Sequence, residues 1–138
     1  MTLKIKLLNE NATIPKRGSE GAAGYDLCSS EDIVVGPHSQ ALIPTGISIE
    51  MPNGVYGRIA PRSGLSLKHT ITSAGVIDPD YRGEIKIVFF NLSNYPINIQ
   101  TENRIAQLIL ENYTIAPILV TDLSSTERSD AGFGSTGV

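Results

Sequence analysis

Short hydrophobic runs that alternate with polar residues recur along most of the chain. Leu3, Ile5 and Leu7 alternate with lysines, and the same period of two residues appears at 47–51 and 85–87. This alternation is typical of β-strands that bury one face, and no long run has the spacing of an amphipathic helix. We therefore predict further strands at 33–35, 40–43, 55–59, 70–72, 97–100, 105–110 and 117–120.

Turn-forming residues separate these runs and indicate an all-β fold. Gly and Pro lie between the predicted strands, as at 52–54, and this spacing is typical of a barrel or a sandwich. One short helix is predicted at 63–69, where Ser63 is placed to cap the first turn.

The last part of the chain has a different composition. Beyond Ser124 the residues are mostly Ser, Thr, Gly and charged, and Phe133 is almost the only large apolar side chain. Such a segment buries too little apolar surface to order by itself. We predict a barrel domain over 1–124 and a flexible tail over 125–138.

Composition and charge limit the class of protein. The 138 residues, 41% of them hydrophobic, suit one domain with one core. Cys28 is the single cysteine, so no internal disulfide is expected, and no signal-like or membrane-spanning run is seen. A net charge of −3 argues against a general nucleic-acid binder. We expect an intracellular protein, of the cytoplasm, the nucleus or both, with no membrane or nucleic-acid partner.

The stretch at 75–83 combines a carboxylate, a phenol ring and a turn. Pro79 disfavours a helical conformation for Asp78, and the following Asp and Gly favour a β-turn between two strands of a hairpin. Val76 and Ile77 would then form an apolar wall that partly shields Asp78, a carboxylate able to orient a water molecule. The alternative is that Asp78 and its neighbour are only turn formers.

Two segments that precede this stretch, at 21–27 and 61–65, carry further polar side chains. Small residues at 21–24 permit a close approach of the backbone beside Tyr25 and Asp26, although a plain strand entry explains them too. At 61–65, Arg62, Ser63 and Gly64 are placed to converge on an anion, and an ordinary helix cap is the alternative.

The fourth segment and the tail complete the set of candidate motifs. Arg104 and Gln107 interrupt an apolar run at 103–109, where a core strand with a solvent-facing Gln is the alternative. In the tail, Phe133 lies between glycines, close to Arg128 and a Ser-Thr pair. This combination suits a flap that stacks a ring on a base and wraps phosphates.

Taken together, these five segments resemble the motifs of the homotrimeric dUTP pyrophosphatases, the dUTPases. In chain order they are AAGYDL at 22–27, PRSGLS at 61–66, AGVIDPDYRG at 74–83, RIAQLI at 104–109 and GFGSTG at 132–137.

The resemblance implies a small distorted, jelly-roll-like β-barrel with a flexible C-terminal tail, assembled as a homotrimer. It implies hydrolysis of dUTP to dUMP and pyrophosphate with Mg2+ on the triphosphate, which keeps uracil out of DNA and supplies dUMP for thymidylate synthesis. Asp78 would hold the attacking water. Tyr81 would pack against the deoxyribose, and Asp26 would hold metal-bound water or the hydrogen-bond network of the site.

The resemblance also implies a set of substrate-binding residues. Backbone groups at 75–81 would read the uracil edge, Arg128 would neutralise the γ-phosphate, and Phe133 would lie over the uracil. The full set is Arg62, Ser63, Gly64, Gly75, Val76, Ile77, Asp78, Tyr81, Lys86, Gln107, Arg128, Phe133, Gly134, Ser135 and Thr136.

Two alternatives and one departure from the family pattern accompany this interpretation. A dCTP deaminase, or a bifunctional deaminase, would need a further acid-base Glu, and the stretch before Asp78 has none. A regulatory nucleotide-binding protein without turnover is the other alternative. The family more often has glycines where this tail has Ser129 and Ala131, which would stiffen the flap, and Asp130 adds a negative charge.

Overall fold

The computed structural model of the protein describes residues 1–68, 70–72 and 75–134. In this part of the chain there are twelve strands and one short helix. They are β1 Lys4–Leu7, β2 Lys16–Arg17, β3 Tyr25–Cys28, β4 Ile33–Val35, β5 Ser39–Pro44, β6 Ile47–Glu50, β7 Val55–Ala60, α1 Ser63–Lys68, β8 Thr70–Thr72, β9 Gly75–Ile77, β10 Lys86–Asn91, β11 Ile97–Ile99 and β12 Arg104–Asn112.

The described strands form four small antiparallel sheets. The largest has the order β2-β3-β12-β7-β9, and a second has the order β5-β10-β8. The remaining two are the pairs β1-β6 and β4-β11. Neighbours in these sheets are mostly distant in sequence, as expected for a jelly roll. The predicted all-β, jelly-roll-like barrel is therefore confirmed.

Alternation along the strands creates the core. In β10, Ile87 and Phe89 are fully buried while Lys86 and Val88 face outward. The buried cluster also takes side chains from the other sheets, and its largest members are Phe89, Leu27, Ile43, Ile47, Ile85, Ile87, Ile105 and Leu108.

Asn91 is a polar residue at a core position of β10. Its side-chain amide donates to the carbonyl oxygens of Val35, Gly36 and Tyr95 at 3.1, 3.0 and 2.7 Å, and its Oδ1 accepts from Ser93. All its hydrogen-bonding groups are used, so burial leaves no unpaired polar group. Period-two reasoning alone did not identify this residue as structural.

Cys28 lies at the end of β3 and is buried, with 8% of its surface exposed. Burial is the main cause that raises the pKa of the Cys28 thiol, and the nearby Asp26 raises it further. The thiol is thus a packed, protonated side chain at neutral pH.

The predicted helix is present as α1 from Ser63 to Lys68, and its predicted last residue, His69, lies outside the described residues. The residue that caps the helix is not the predicted Ser63. The carbonyl oxygen of Arg62 accepts the first helical hydrogen bond, from the N–H of Ser66 at 3.0 Å. Arg62 therefore occupies the N-cap position and Ser63 is the first residue inside the helix.

Two strand predictions are wrong. Residues 113–120 contain no strand, so the run predicted at 117–120 is not part of a sheet. The predicted hairpin around 75–83 is also absent, because β9 pairs with β7 whereas β10 pairs with β5 and β8. The chain turns at 78–81 and passes from one sheet to another.

The described part of the chain contains no membrane-spanning helix. Within 1–68, 70–72 and 75–134, no helix has the length and apolar character needed to cross a membrane.

Candidate active site

The turn after β9 carries the predicted catalytic carboxylate. The N–H of Tyr81 donates to the carbonyl oxygen of Asp78 at 3.0 Å, which closes the predicted β-turn. Pro79 and Asp80 occupy the two central positions, where Pro at the first one favours this turn. Sequence therefore placed the turn correctly, and Asp78 and Tyr81 are its two end residues.

A cavity of about 210 Å³ lies beside this turn. Its volume is smaller than that of typical whole-ligand pockets, which suits one part of a nucleotide rather than all of it. Five of the predicted substrate-binding residues line it together with Glu84: Val76, Ile77, Asp78, Tyr81 and Lys86.

Asp78 is more open to solvent than the sequence predicted. Its side chain is exposed, and Val76, expected to be part of a shielding wall, is 67% exposed. The expected shielding of the carboxylate is therefore wrong for the single chain. The reason is that β9 is an edge strand with one neighbour, β7, and no described strand covers its outer side.

The ring of Tyr81 is held in a defined position. Its hydroxyl donates to the carbonyl oxygen of Glu84 at 2.8 Å, so the ring spans the three residues that follow it. A Cβ at Gly83 would lie 2.6 Å from Cζ of the ring, which is too close for any real contact. Gly83 is thus required for the ring to lie against the backbone.

Glu84 is a pocket residue that sequence reasoning missed. Its Oε2 accepts the N–H of Gly46 at 2.9 Å, which ties the pocket to the turn between β5 and β6. Its position two residues before Lys86, directly after the YRG segment, was the available signal. The contact with Gly46 was not readable from sequence because the two residues are 38 positions apart.

A second cluster lies at the other end of the large sheet. Asp26 on β3 forms ion pairs with two guanidinium groups: Arg62 Nε lies 3.6 Å from Oδ1, and Arg104 Nη1 lies 3.7 Å from Oδ2. Arg62 also donates to the carbonyl oxygen of Arg104 at 3.2 Å. Two cations around one carboxylate leave a net positive charge, which suits phosphate oxygens.

Arg104 was quoted in a motif but given no role from the sequence. The structure brings it to Asp26 because β12 pairs with β3, with Arg104 opposite Cys28 and Gln107 opposite Asp26. A bulge between Arg104 and Ala106 shifts the register there. An irregularity of this kind cannot be read from alternation.

Gln107 lies next to this cluster. Its side-chain amide donates to the carbonyl oxygen of Pro61 at 2.9 Å, so it holds the segment that enters α1. A Cβ at Gly24 would lie 2.9 Å from Cδ of Gln107, and this confirms that the small residue permits a close approach. Gln107 is half-buried on a paired strand and does not simply face solvent.

Ser63 and Gly64 begin α1 beside Arg62, and both are exposed. The first N–H groups of a helix have no partners within it, so they remain available to an acceptor. The predicted phosphate-binding segment therefore joins the Asp26 cluster through Arg62.

The two groups of site residues lie at opposite ends of β7. Ile77 on β9 lies opposite Gly57, whereas Gln107 on β12 lies opposite Ala60, three residues along the same strand. Three residues of strand span about 10 Å. Asp78 continues away from Ala60 at one end and Arg62 follows Ala60 at the other, so their separation is greater still.

The tail residues contact each other. Arg128 Nε donates to the carbonyl oxygen of Ala131 at 2.7 Å, and the N–H of Ala131 donates to the carbonyl oxygen of Arg128 at 3.1 Å. Phe133 is completely exposed. Arg128, Phe133 and Gly134 are thus not seen at the pocket, while the predicted Ser135 and Thr136 lie outside the described residues.

Ser129 has a backbone φ of +51°, in the left-handed region that favours glycine. This is one of the two positions where the family more often has glycine. The serine side chain therefore adds strain to the tail turn in this conformation.

The described residues contain no group of three or more His, Cys, Asp or Glu side chains able to hold a metal ion by themselves. Asp26 is the carboxylate of the cationic cluster, and both its oxygens face guanidinium groups. A carboxylate placed in this way can accept hydrogen bonds from the water molecules around a metal ion.

A jelly roll that combines a cationic cluster with a carboxylate-bearing pocket is an arrangement suited to a nucleotide hydrolase. A family model described as dUTPase matches residues 10–137 of this chain. The chain belongs to the dUTPase family. The sequence-based family assignment and the prediction of a hydrolase are therefore confirmed.

Proteins of this family are similar to the chain over nearly its full length. A protein of Paramecium bursaria Chlorella virus 1, named deoxyuridine 5'-triphosphate nucleotidohydrolase, is 52% identical, with 99% of each chain covered. The solved dUTPase of Staphylococcus bacteriophage 80alpha, bound to dUPNHPP, is 33% identical with a TM-score of 0.90 and 99% coverage of each chain. A dUTPase variant from phage phi11 of S. aureus, described as coordinating a structural Mg(II) ion, is 28% identical with a TM-score of 0.76, covering 95% of this chain and 100% of that one.

Proposed function

We propose that this chain hydrolyses dUTP to dUMP and pyrophosphate by attack of water on the α-phosphorus. The observation that carries this proposal is the turn at 78–81, which places Asp78 and Tyr81 on the wall of one small cavity. The exposed carboxylate of Asp78 accepts a hydrogen bond from a water molecule and orients it in line with the leaving pyrophosphate. Removal of dUTP by this reaction keeps uracil out of DNA, and the product dUMP is supplied for thymidylate synthesis.

The nucleoside is read by β9 and the Tyr81 ring. Since β9 is an edge strand, the N–H and C=O groups of its outer side are not used by a described neighbour and are available to the uracil edge. Tyr81 packs against the deoxyribose and leaves no space for a 2'-hydroxyl. A pocket this small rejects both the exocyclic amine of cytosine and the methyl group of thymine.

The phosphates bind at the cationic cluster. Arg62 and Arg104 supply charge, the N–H groups at Ser63 and Gly64 supply donors, and Gln107 holds the segment in place. Arg128 neutralises the γ-phosphate when the tail closes. Phe133 then covers the uracil, with 134–136 around the phosphates.

Mg2+ belongs to this reaction as a partner of the substrate phosphates. Bound there, it supplies charge neutralisation for the triphosphate and the leaving pyrophosphate. Asp26 would hold the ion through water rather than directly, because both carboxylate oxygens already face arginines.

We propose that the active protein is a homotrimer whose sites are shared between subunits. Asp78 and Arg62 lie at opposite ends of β7, more than about 10 Å apart. The attacking water and the phosphates need closer groups, which a neighbouring copy supplies. The exposed apolar side chains after β12 favour such an assembly, and they are Ile115, Ile118, Leu119, Val120 and Leu123.

A deaminase would use a glutamate near the base, and Glu84 does line the pocket. Its carboxylate, however, accepts the N–H of Gly46 at 2.9 Å and is fixed as a structural contact. A regulatory protein without turnover would bind dUTP and release nothing. Both alternatives are separated from the proposal by the products formed.

The test is pyrophosphate and ammonia release from dUTP and dCTP by the parent and by Asp78→Asn. We expect pyrophosphate from dUTP alone, and a fall of about 10²–10⁴-fold in kcat for Asp78→Asn at nearly unchanged affinity for a non-hydrolysable dUTP analogue. Asp80→Asn is the matched control, since Asp80 shares the turn but does not line the cavity. Ammonia from dCTP, or an active Asp78→Asn variant, would contradict the proposal. A monomeric mass by light scattering at full activity would contradict the trimer.

A further inference from the structure

The guanidinium group of Arg82 folds back onto the turn that carries Asp78. Its Nη1 donates to the carbonyl oxygen of Pro79 at 2.7 Å and to that of Tyr81 at 3.3 Å. These carbonyls lie within and directly after the turn that the Tyr81 N–H closes on Asp78. One planar cation thus joins a carbonyl within the turn to the carbonyl directly after it.

Glu50 fixes the other side of this guanidinium. Arg82 Nη2 lies 3.5 Å from Oε1 of Glu50, the last residue of β6. The second oxygen, Oε2, lies 3.0 Å from Nζ of Lys4, which is opposite Glu50 in the β1-β6 pair. The hydrogen bond from Lys4, then the charges of Lys4 and Arg82, lower the pKa of Glu50, so it is ionised at neutral pH.

Arg82 does not line the cavity beside Asp78. It lies instead along a separate groove of about 330 Å³, with Lys4, Lys6 and Glu50. A cation at that place does not contact a nucleoside in the pocket. Its contacts with the pocket run through the backbone of the turn.

We propose that Arg82 is a positioning residue for the hydrolysis, which holds the Asp78–Tyr81 turn rigid, and that Glu50 orients the Arg82 guanidinium. This inference rests on the proposed role of Asp78. It assigns a function to an arginine that touches neither the base nor the phosphates, and to a glutamate outside the five motifs.

The chemistry of the side chain makes the proposal specific for arginine. A planar guanidinium presents several N–H groups in fixed directions and reaches two carbonyl oxygens and a carboxylate at once. A lysine ammonium keeps the charge but not this geometry. Arg82→Lys should therefore have a lower kcat than the parent, whereas a purely electrostatic role would predict the same kcat for both.

The test compares steady-state kinetics of the full-length protein with dUTP for four variants. We expect Arg82→Ala to lower kcat about ten-fold, equivalent to about 1.4 kcal/mol, with KM changed less than about two-fold. Arg82→Lys should recover only part of this loss. Glu50→Gln should lower kcat by about two- to three-fold, since the pair is 54% and 45% exposed and exposed pairs are weak.

Lys4→Ala is the matched control, because it removes the second partner of Glu50 and leaves the Arg82 contacts. We expect its kcat to equal that of the parent. A double-mutant cycle completes the design: Glu50→Gln should lower kcat in the parent and have no effect in Arg82→Ala. Circular dichroism and thermal unfolding show whether each variant is folded. If Arg82→Ala does not fold, Glu50→Gln still tests the proposal.

Several outcomes would overturn the inference. A rise in KM at constant kcat would make Arg82 a substrate-binding cation, and complete recovery by Arg82→Lys would leave charge as its only role. Additive effects in the cycle, or an equal loss in Lys4→Ala, would remove Glu50 from the proposal. If Arg82→Ala is fully active while Asp78→Asn is inactive, the positioning role fails and the proposed function stands.

Discussion

Nε of Arg62 lies 3.6 Å from Oδ1 of Asp26, and this ion pair joins the loop that enters α1 to strand β3 of the large sheet. The second oxygen of the same carboxylate faces Arg104 at 3.7 Å. One negative charge thus orients two cations that the chain supplies from positions 42 residues apart.

Asp26→Asn should raise the Mg2+ concentration needed for half-maximal activity, by roughly ten-fold, because a charge-assisted hydrogen bond to metal-bound water is lost. Affinity for the metal-free nucleotide should not fall, since the two arginines lose a competing anion. Activity titrated with Mg2+ and calorimetry in EDTA measure these two effects. Asp32→Asn serves as the control, because its remaining side-chain oxygen still accepts the N–H of Thr101. An unchanged Mg2+ requirement would remove Asp26 from the metal's surroundings.

Gly83→Ala should displace the Tyr81 ring. The added Cβ would lie 2.6 Å from Cζ, and the ring is 45% exposed, so it can move outward at a cost of about 1 kcal/mol in stability. We expect kcat/KM for dUTP to fall about ten-fold and the preference for dUTP over UTP to decrease, since the sugar contact is lost. Gly21→Ala is the control, because its Cβ meets no atom within 4 Å. Unchanged discrimination in Gly83→Ala would mean that the ring does not select the sugar.

The strand pattern and the turn were predictable because their causes are local. Alternation of apolar and polar residues decides which face of a strand is buried, and Pro79 with its neighbours decides the turn at 78–81. The run at 117–120 is continuously apolar, like a buried strand, and yet is not a strand. A strand also needs a partner for its hydrogen bonds, and the described chain provides none there.

Residue pairing across the sheets was not predictable from one sequence. Arg104 reaches Asp26 only because of the β3-β12 register and its bulge, and Glu84 reaches Gly46 across 38 residues. The false hairpin and the exposure of Asp78 have the same origin: the sequence does not tell which sheet β9 joins. Family motifs identified the candidate residues, while the geometry that joins them came from long-range pairing.

Ending the chain at Ser125 should separate stability from activity. The described tail contacts, such as Arg128 with Ala131 and Ser129 with Thr126, lie within the removed segment. We expect the free energy of unfolding to change by less than about 0.5 kcal/mol. We expect kcat/KM to fall about 100-fold or more because a closing segment is missing.

The same segment allows a direct binding measurement. The chain has no Trp, so Phe133→Trp gives a single indole in the tail. Its emission should change when a non-hydrolysable dUTP analogue and Mg2+ are added together. A truncated protein with full activity, or an indole that ignores the analogue, would show that the tail does not act at the site.

The cluster of Tyr56, Arg58 and Glu111 on β7 and β12 gives the protein a defined pH response. The Tyr56 hydroxyl donates to Glu111 Oε2 at 2.5 Å and Arg58 Nε donates to Oε1 at 2.7 Å. The bond from Tyr56, and then that from Arg58, lower the pKa of Glu111. A lowered pKa means stabilisation that is complete above the unfolded-state pKa of about 4.3 and is lost as pH falls through the folded-state value.

Glu111→Gln should therefore melt at a lower temperature than the parent at pH 7, and the difference should shrink as pH falls below about 4. The hydrogen bond to Glu111 also raises the pKa of Tyr56, so the contribution of that phenol is lost only as pH rises through its folded-state value, above about 10. Thermal unfolding from pH 3 to 11 measures both limits. Glu127→Gln, in the exposed tail, is the control. A difference in melting temperature that is constant across this range would contradict the assignment.

The buried thiol of Cys28 allows local opening of the large sheet to be measured by chemical labelling. It is the single thiol in 138 residues, it is buried, and it lies two residues after Asp26 on β3. Cys28 lines a surface groove with Asp26 and Arg104, and only 8% of the residue is exposed, so we expect a thiol reagent to react slowly unless the residues around the sulfur move away. The rate of chemical labelling therefore reports local opening around the strand that holds Asp26, and slower labelling with nucleotide present would measure how firmly the ligand closes that region.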